Sequence, residues 1–167
     1  SMREIIDTAV DEALAGYAKN VWILLNKDGS ATVVDDGRGI PVDIMPQYKK
    51  SALEIVMTKL HAGGKFGGSA YKISGGLHGV GSSVVNALSE WLWVEVKRDG
   101  KIHRQEYKAG DPKTKVDVVE KSYLSSTIPT RKTGTTVTFL PDASIFSTIE
   151  FDFDIVKKAI RERAYLV

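Results

Sequence analysis

Residues 72–89, Lys-Ile-Ser-Gly-Gly-Leu-His-Gly-Val-Gly-Ser-Ser-Val-Val-Asn-Ala-Leu-Ser, constrain this chain more than any other stretch. Gly75, Gly76, Gly79 and Gly81 bare the backbone just ahead of an amphipathic run, so several N–H groups stand at a predicted helix N-terminus. Unpaired amides and the helix dipole favour an anion there, and phosphate is the natural guest. A Walker A loop needs Gly-Lys-Ser/Thr at its end, whereas Gly81 is followed directly by Ser82. The dinucleotide fingerprint fails too, because Val84 stands where a third glycine belongs and no clear strand precedes the loop. A second glycine-rich segment, residues 61–72, supplies Lys65 and Lys72. The plain alternative is a flexible surface loop.

Helices and hairpins alternate irregularly around these loops. Residues 3–15 set Ile5, Ile6, Ala9, Val10, Ala13 and Leu14 on one arc of a helix, with Gly16 as the stop. Residues 21–25 and 31–36 are β-rich runs joined by Asn-Lys-Asp-Gly-Ser, and residues 91–107 repeat the hairpin pattern around Asp99-Gly100. Residues 51–62, 82–90 and 152–166 read as further helices, residues 135–141 as a strand, and residues 108–115 as the least ordered stretch. The expected fold is α/β, an α+β two-layer sandwich whose mixed, largely antiparallel sheet carries helices on one face.

Composition narrows the class. With 167 residues, 43% of them hydrophobic and no run long enough to span a bilayer, the chain reads as one globular domain. A net charge of +2 argues for neither nucleic acid nor membrane as a direct partner. The absence of cysteine removes disulfides and thiolate metal sites and fits a reducing compartment, so a cytoplasmic location is expected. The opening Ser-Met reads as a remnant ahead of a helix already running at Arg3, and a longer natural chain is expected.

Two further features carry chemistry. On the first helix Glu4, Asp7, Thr8, Asp11 and Glu12 share one face opposite the apolar stripe. A solvated face is the ordinary explanation, but like charges at this spacing repel unless something compensates. Residues 33–41 leave a strand through Asp35 and Asp36, then set Gly37 and Gly39 around Arg38 before Ile40 and Pro41. Such a turn lets a flat ligand approach while a strand-end carboxylate holds a donor, although an ordinary Asp-Gly turn has the same composition.

Taken in order, Asp-Glu-Ala-Leu-Ala-Gly-Tyr-Ala (residues 11–18), Asp-Asp-Gly-Arg-Gly-Ile-Pro-Val-Asp-Ile (35–44), Leu-His-Ala-Gly-Gly-Lys-Phe (60–66), the glycine loop, Ile-His-Arg-Gln (102–105) and Lys-Thr-Gly-Thr-Thr-Val-Thr-Phe (132–139) cover most of the chain. The set resembles the ATP-binding domain of bacterial type II topoisomerases, that of gyrase B or its topoisomerase IV counterpart, within the GHKL group of ATPases.

The resemblance implies ATP and Mg²⁺ as cofactors and assigns roles. Glu4 is the expected general base, a role worth about 10²- to 10⁴-fold in rate. Asp35 accepts the adenine amino proton, with Thr135 completing the contact. Gly39, Ile40 and Pro41 line the adenine pocket, and Arg38 pairs with Glu12 across its wall. The amides of Gly76, Leu77, His78, Gly79, Val80 and Gly81 cradle the phosphates, Lys65 adds a point charge and Tyr71 lies near the nucleotide. Thr8, Asp11 and Arg104 complete the expected ATP-binding set. One position departs: the family pattern Glu-x-x-Asp-Asn ends here in Thr8, so the metal-binding amide oxygen becomes a shorter hydroxyl.

The expected activity is ATP hydrolysis coupled to DNA strand passage and supercoiling, with decatenation by a topoisomerase IV as the alternative. DNA and the gyrase A-type subunit are then partners through parts outside this segment. The N-terminal arm and the transducer domain that close the family's site are expected to be missing, leaving a monomer that binds ATP and turns it over poorly; the parent dimerises on ATP. Rival readings are another GHKL ATPase, a binding module without chemistry, or direct DNA contact by Lys157, Lys158, Arg161 and Arg163, for which a solvated helix face is the simpler account.

Overall fold

The computed structural model describes residues 2–60, 81–124, 128–143 and 164–167. The first helix, α1 (Met2–Ala15), buries Met2, Ile5, Ile6, Val10 and Ala13, the apolar stripe expected from its periodicity. It ends in a Schellman motif, with Ala18 N donating to Ala13 O at 3.3 Å and Tyr17 N to Leu14 O at 3.1 Å. The left-handed residue is Tyr17, at φ 66°, and not the preceding Gly16. A side chain held there costs about 1–2 kcal/mol, which the surrounding contacts must offset.

Strands β1 (Val21–Leu25) and β2 (Ala31–Asp35) form the expected hairpin, paired from Val21↔Asp35 to Leu25↔Ala31. Short strands β3 (Ile44–Met45) and β4 (Lys50–Ser51) lead into α2 (Ala52–Thr58), whose N-cap Ser51 accepts from Leu53 N. Helix α3 (Gly81–Ala87) is shorter than predicted, because Ser89 and Glu90 already belong to β5 (Ser89–Arg98). The hairpin from β5 to β6 (Lys101–Lys108) turns at Asp99 and Gly100, φ 51° and 72°, the pair of positive angles that a two-residue turn demands. Then come β7 (Asp111–Pro112), β8 (Asp117–Val119), β9 (Gly134–Pro141) and β10 (Ala164–Leu166).

Eight described strands make one sheet in the order β10-β1-β2-β9-β5-β6-β7, with β8 beside β6. Only the β1–β10 pairing among them is parallel, so the sheet is mixed and largely antiparallel. Strand parity decides what faces what, since side chains alternate across the sheet. Val33 of β2, Val137 and Phe139 of β9, and Leu92, Val94 and Val96 of β5 join the helix residues in one core. Thr32, Thr138, Thr136 and Glu95 take the opposite face.

Two expectations need correction. Residues 152–166 are predicted as one helix, yet Ala164–Leu166 pair with Val21–Ile23, Val167 N donates to Ile23 O at 2.8 Å, and the Trp22 and Tyr165 rings stack. The unpaired flank of β1 offers hydrogen bonds that outweigh local helical periodicity. Residues 108–115 form a tight return rather than a loose one: Lys113 N donates to Glu106 O, and Asn86 Nδ2 to Gly110 O at 3.2 Å.

Candidate functional site

At the Asp35 end of the sheet, α1 and α3 stand over β2, β9 and β5 and leave a cavity of about 200 Å³. Its walls are mostly apolar, with Ala9, Ala13, Val33, Ile40, Met57, Val85 and Val137. Its polar groups are few and convergent: Glu12, Tyr17, Asp35, Arg38, Ser82, Arg98 and Thr135. That is the make-up of a small-molecule site.

Asp35 lies on the same face as Val33 and is 8% exposed. Oδ1 accepts from Gly37 N at 2.9 Å and from Thr135 N at 3.1 Å. Among the described residues no donor reaches Oδ2. Burial raises the Asp35 pKa to about 6, opposed by the Gly37 and Thr135 amides and by Arg131. The group is thus a costly buried carboxylate with one oxygen unused. Thr135 Oγ1 accepts from Ile40 N at 3.3 Å, tying the Asp-Gly turn to β9.

Of the predicted residues, Glu12, Asp35, Arg38, Gly39, Ile40, Pro41 and Thr135 line this cavity together. In place of the expected pair with Glu12, the Arg38 guanidinium lies 4.0 Å over the Tyr17 ring. The Glu12 carboxylate lies where a Cβ on Gly81 would be. Glu4, Thr8 and Asp11 sit on α1 outside the cavity wall, Glu4 and Asp11 exposed. Thr8 Oγ1 donates to Glu4 O at 2.9 Å. Lys65, Tyr71, Gly76, Leu77, His78, Gly79 and Val80 lie outside the described residues, while Gly81 opens α3.

Arg104 belongs elsewhere. It pairs in register with Glu95, on the face turned away from the helices, and bonds Glu95 Oε2 at 3.1 Å and Lys121 O at 2.9 Å, its guanidinium 3.3 Å over Tyr123. Parity places Arg98 on the cavity side instead, two residues beyond Val96, and its Nη1 donates to Gly39 O at 3.0 Å. The hairpin and its alternation contain that signal. Tyr17 and Ser82 are further polar groups on the cavity wall to which no sequence motif assigns a role.

A family model described as "Histidine kinase-, DNA gyrase B-, and HSP90-like ATPase" matches residues 1–145. The chain belongs to that family. The DNA gyrase B protein of Thermotoga maritima is 58% identical over 98% of this chain and 24% of its own length. The B protein of the type 2 topoisomerase of Aquifex aeolicus is likewise 58% identical, over 98% of this chain and 20% of that protein. The 43K ATPase domain of Thermus thermophilus gyrase B, crystallised with an aminocoumarin, superposes at a TM-score of 0.70 with 47% identity, covering 95% of this chain and 37% of that one. The layered mixed sheet under one set of helices is therefore the fold of that ATPase domain. The chain spans about a quarter of the length of the curated relatives it matches.

Proposed function

We propose that the cavity holds the adenine of ATP and that this chain is the ATPase domain of a cytoplasmic gyrase-type topoisomerase, in which nucleotide binding is coupled to DNA strand passage. One observation carries the reading: buried Asp35 lines a mostly apolar cavity with both its hydrogen bonds on Oδ1, the environment that suits a purine and its amino donor. Thr135 and the turn from Gly39 to Pro41 frame the ring, and Arg98, by holding Gly39 O, fixes that turn. The triphosphate then runs past the α3 N-terminus, where Gly81 and the amides of Gly76, Leu77, His78, Gly79 and Val80, with Lys65 and Tyr71, complete the cradle that the family resemblance implies.

Glu4 acts as general base, and Glu12 and Asp11 supply negative charge on the same helix. Among the described residues no group of three His, Cys, Asp or Glu side chains could hold a metal. Mg²⁺ would then be held by nucleotide phosphates and water, with the Thr8 hydroxyl, which donates to Glu4 O, as the oxygen that α1 offers. When bound, the ion neutralises developing phosphate charge. Relatives that are gyrase B proteins support the supercoiling reading, with a gyrase A-type subunit and DNA as partners of the whole protein and dimerisation on ATP binding. This segment alone is a monomer that binds ATP and hydrolyses it slowly.

Calorimetry with a non-hydrolysable ATP analogue tests the reading. The parent binds one equivalent, and Asp35→Asn weakens binding about ten- to a hundredfold, as loss of a charged hydrogen bond predicts. No heat with the parent overturns it.

A further inference from the structure

Arg131 sits on the sheet face turned away from the cavity, yet it reaches the residue on which the adenine contact depends. Its Nη1 donates to the Asp35 carbonyl oxygen at 2.7 Å, and Nη2 lies 3.5 Å from Thr136 Oγ1. Gly134 makes room for this approach: at φ 152°, a Cβ there would overlap the Asp35 carbonyl oxygen and lie 2.8 Å from Arg131 Nη1. Beside it Thr133 Oγ1 donates to Gly37 O at 2.6 Å. The segment before β9 therefore grips Asp35 and Gly37 by their carbonyls, while the Asp35 carboxylate is gripped by the Gly37 and Thr135 amides. Both ends of the residue are fixed.

We propose that Arg131 is a positioning residue for adenine-nucleotide binding, fixing the Asp35 main chain from the reverse face of the sheet and keeping its carboxylate charged to accept the amino proton. The inference rests on the adenine reading above. Asp36 and Arg131 act on the Asp35 charge with opposite sign, and Glu12, Arg38 and Arg98 share its cavity. Asp35, Asp36 and Glu95 face Arg131 in turn and favour its charged form against burial. With Asp35 already raised to about 6, loss of the Arg131 charge carries its titration further towards neutral pH. A charged acceptor makes the stronger hydrogen bond, so affinity follows the ionised fraction.

The test is calorimetric titration with ADP, without metal, from about pH 5.5 to 8.5 on the parent and on Arg131→Gln, which keeps a donor but no charge. Parent affinity falls as pH drops through the Asp35 titration. In R131Q the midpoint moves up, so that its deficit against the parent is about threefold larger near pH 6.5 than above about pH 8, where the loss that remains reports the grip on the Asp35 carbonyl. A purely structural role lowers affinity equally at every pH, and an unshifted midpoint overturns the proposal. Arg131→Met, neutral and of similar length, decides the same question should Gln prevent folding. If the parent itself does not bind ADP, the adenine reading falls instead.

Discussion

Replacing Asp35 with Asn is expected to stabilise the nucleotide-free protein while it weakens binding. The folded chain holds the Asp35 pKa at about 6 against the ordinary 3.8, chiefly because burial penalises the ionised form. The folded state thus binds this proton more tightly than the unfolded state. The stability it contributes is fully present below about pH 3.8 and is lost as pH rises through about 6. At about 1.36 kcal/mol per pH unit of separation, the ionised group costs the folded chain about 3 kcal/mol at neutral pH. Asn keeps the shape and an acceptor for the Gly37 and Thr135 amides but carries no charge to desolvate. Urea denaturation followed by circular dichroism, in the absence of nucleotide, measures the difference between the two proteins. Asp35→Asn should gain about 2 kcal/mol on the parent between about pH 4.5 and pH 8, where part of the titration already lies below the lower limit. A gap that does not widen with pH, or that narrows, refutes the claim that a desolvated carboxylate is kept here at the expense of stability. A constant offset reports only on how well the amide fits.

Two further substitutions probe the site from its frame. Gly134→Ala places a methyl against the Asp35 carbonyl oxygen in a backbone conformation that favours glycine, and should cost about 2–4 kcal/mol, with nucleotide binding weakened along with it; a denaturant midpoint and ADP affinity matching the parent would show that the strand ends have room to separate. Thr8→Asn exchanges a hydroxyl committed to Glu4 O for a longer amide oxygen, and should raise magnesium-dependent ATP turnover in the full-length protein; unchanged turnover assigns the metal to phosphates and water alone.

Local patterns make most of the frame legible, and their failures have a common cause. The apolar stripe of α1, the two hairpins and the Asp35-to-Pro41 turn are each written within about 20 residues, where periodicity and turn chemistry act directly. The C-terminal strand is not, because Ala164–Leu166 owe their conformation to a partner more than 140 residues away. A motif alone puts Arg104 at the nucleotide without regard to parity, and Tyr17 takes a left-handed angle one residue past Gly16, the stop that the sequence marks. Parity resolves the first: once Asp35 and Val33 face the helices, antiparallel register carries Val137, Thr135, Val96 and Arg98 to the same side and Glu95 and Arg104 to the other. Register stops at the sheet plane, however. The bond from Arg131 to Asp35 crosses it, through the gap that Gly134 leaves, so a charge on the face away from the helices acts on a carboxylate in the cavity without lining it.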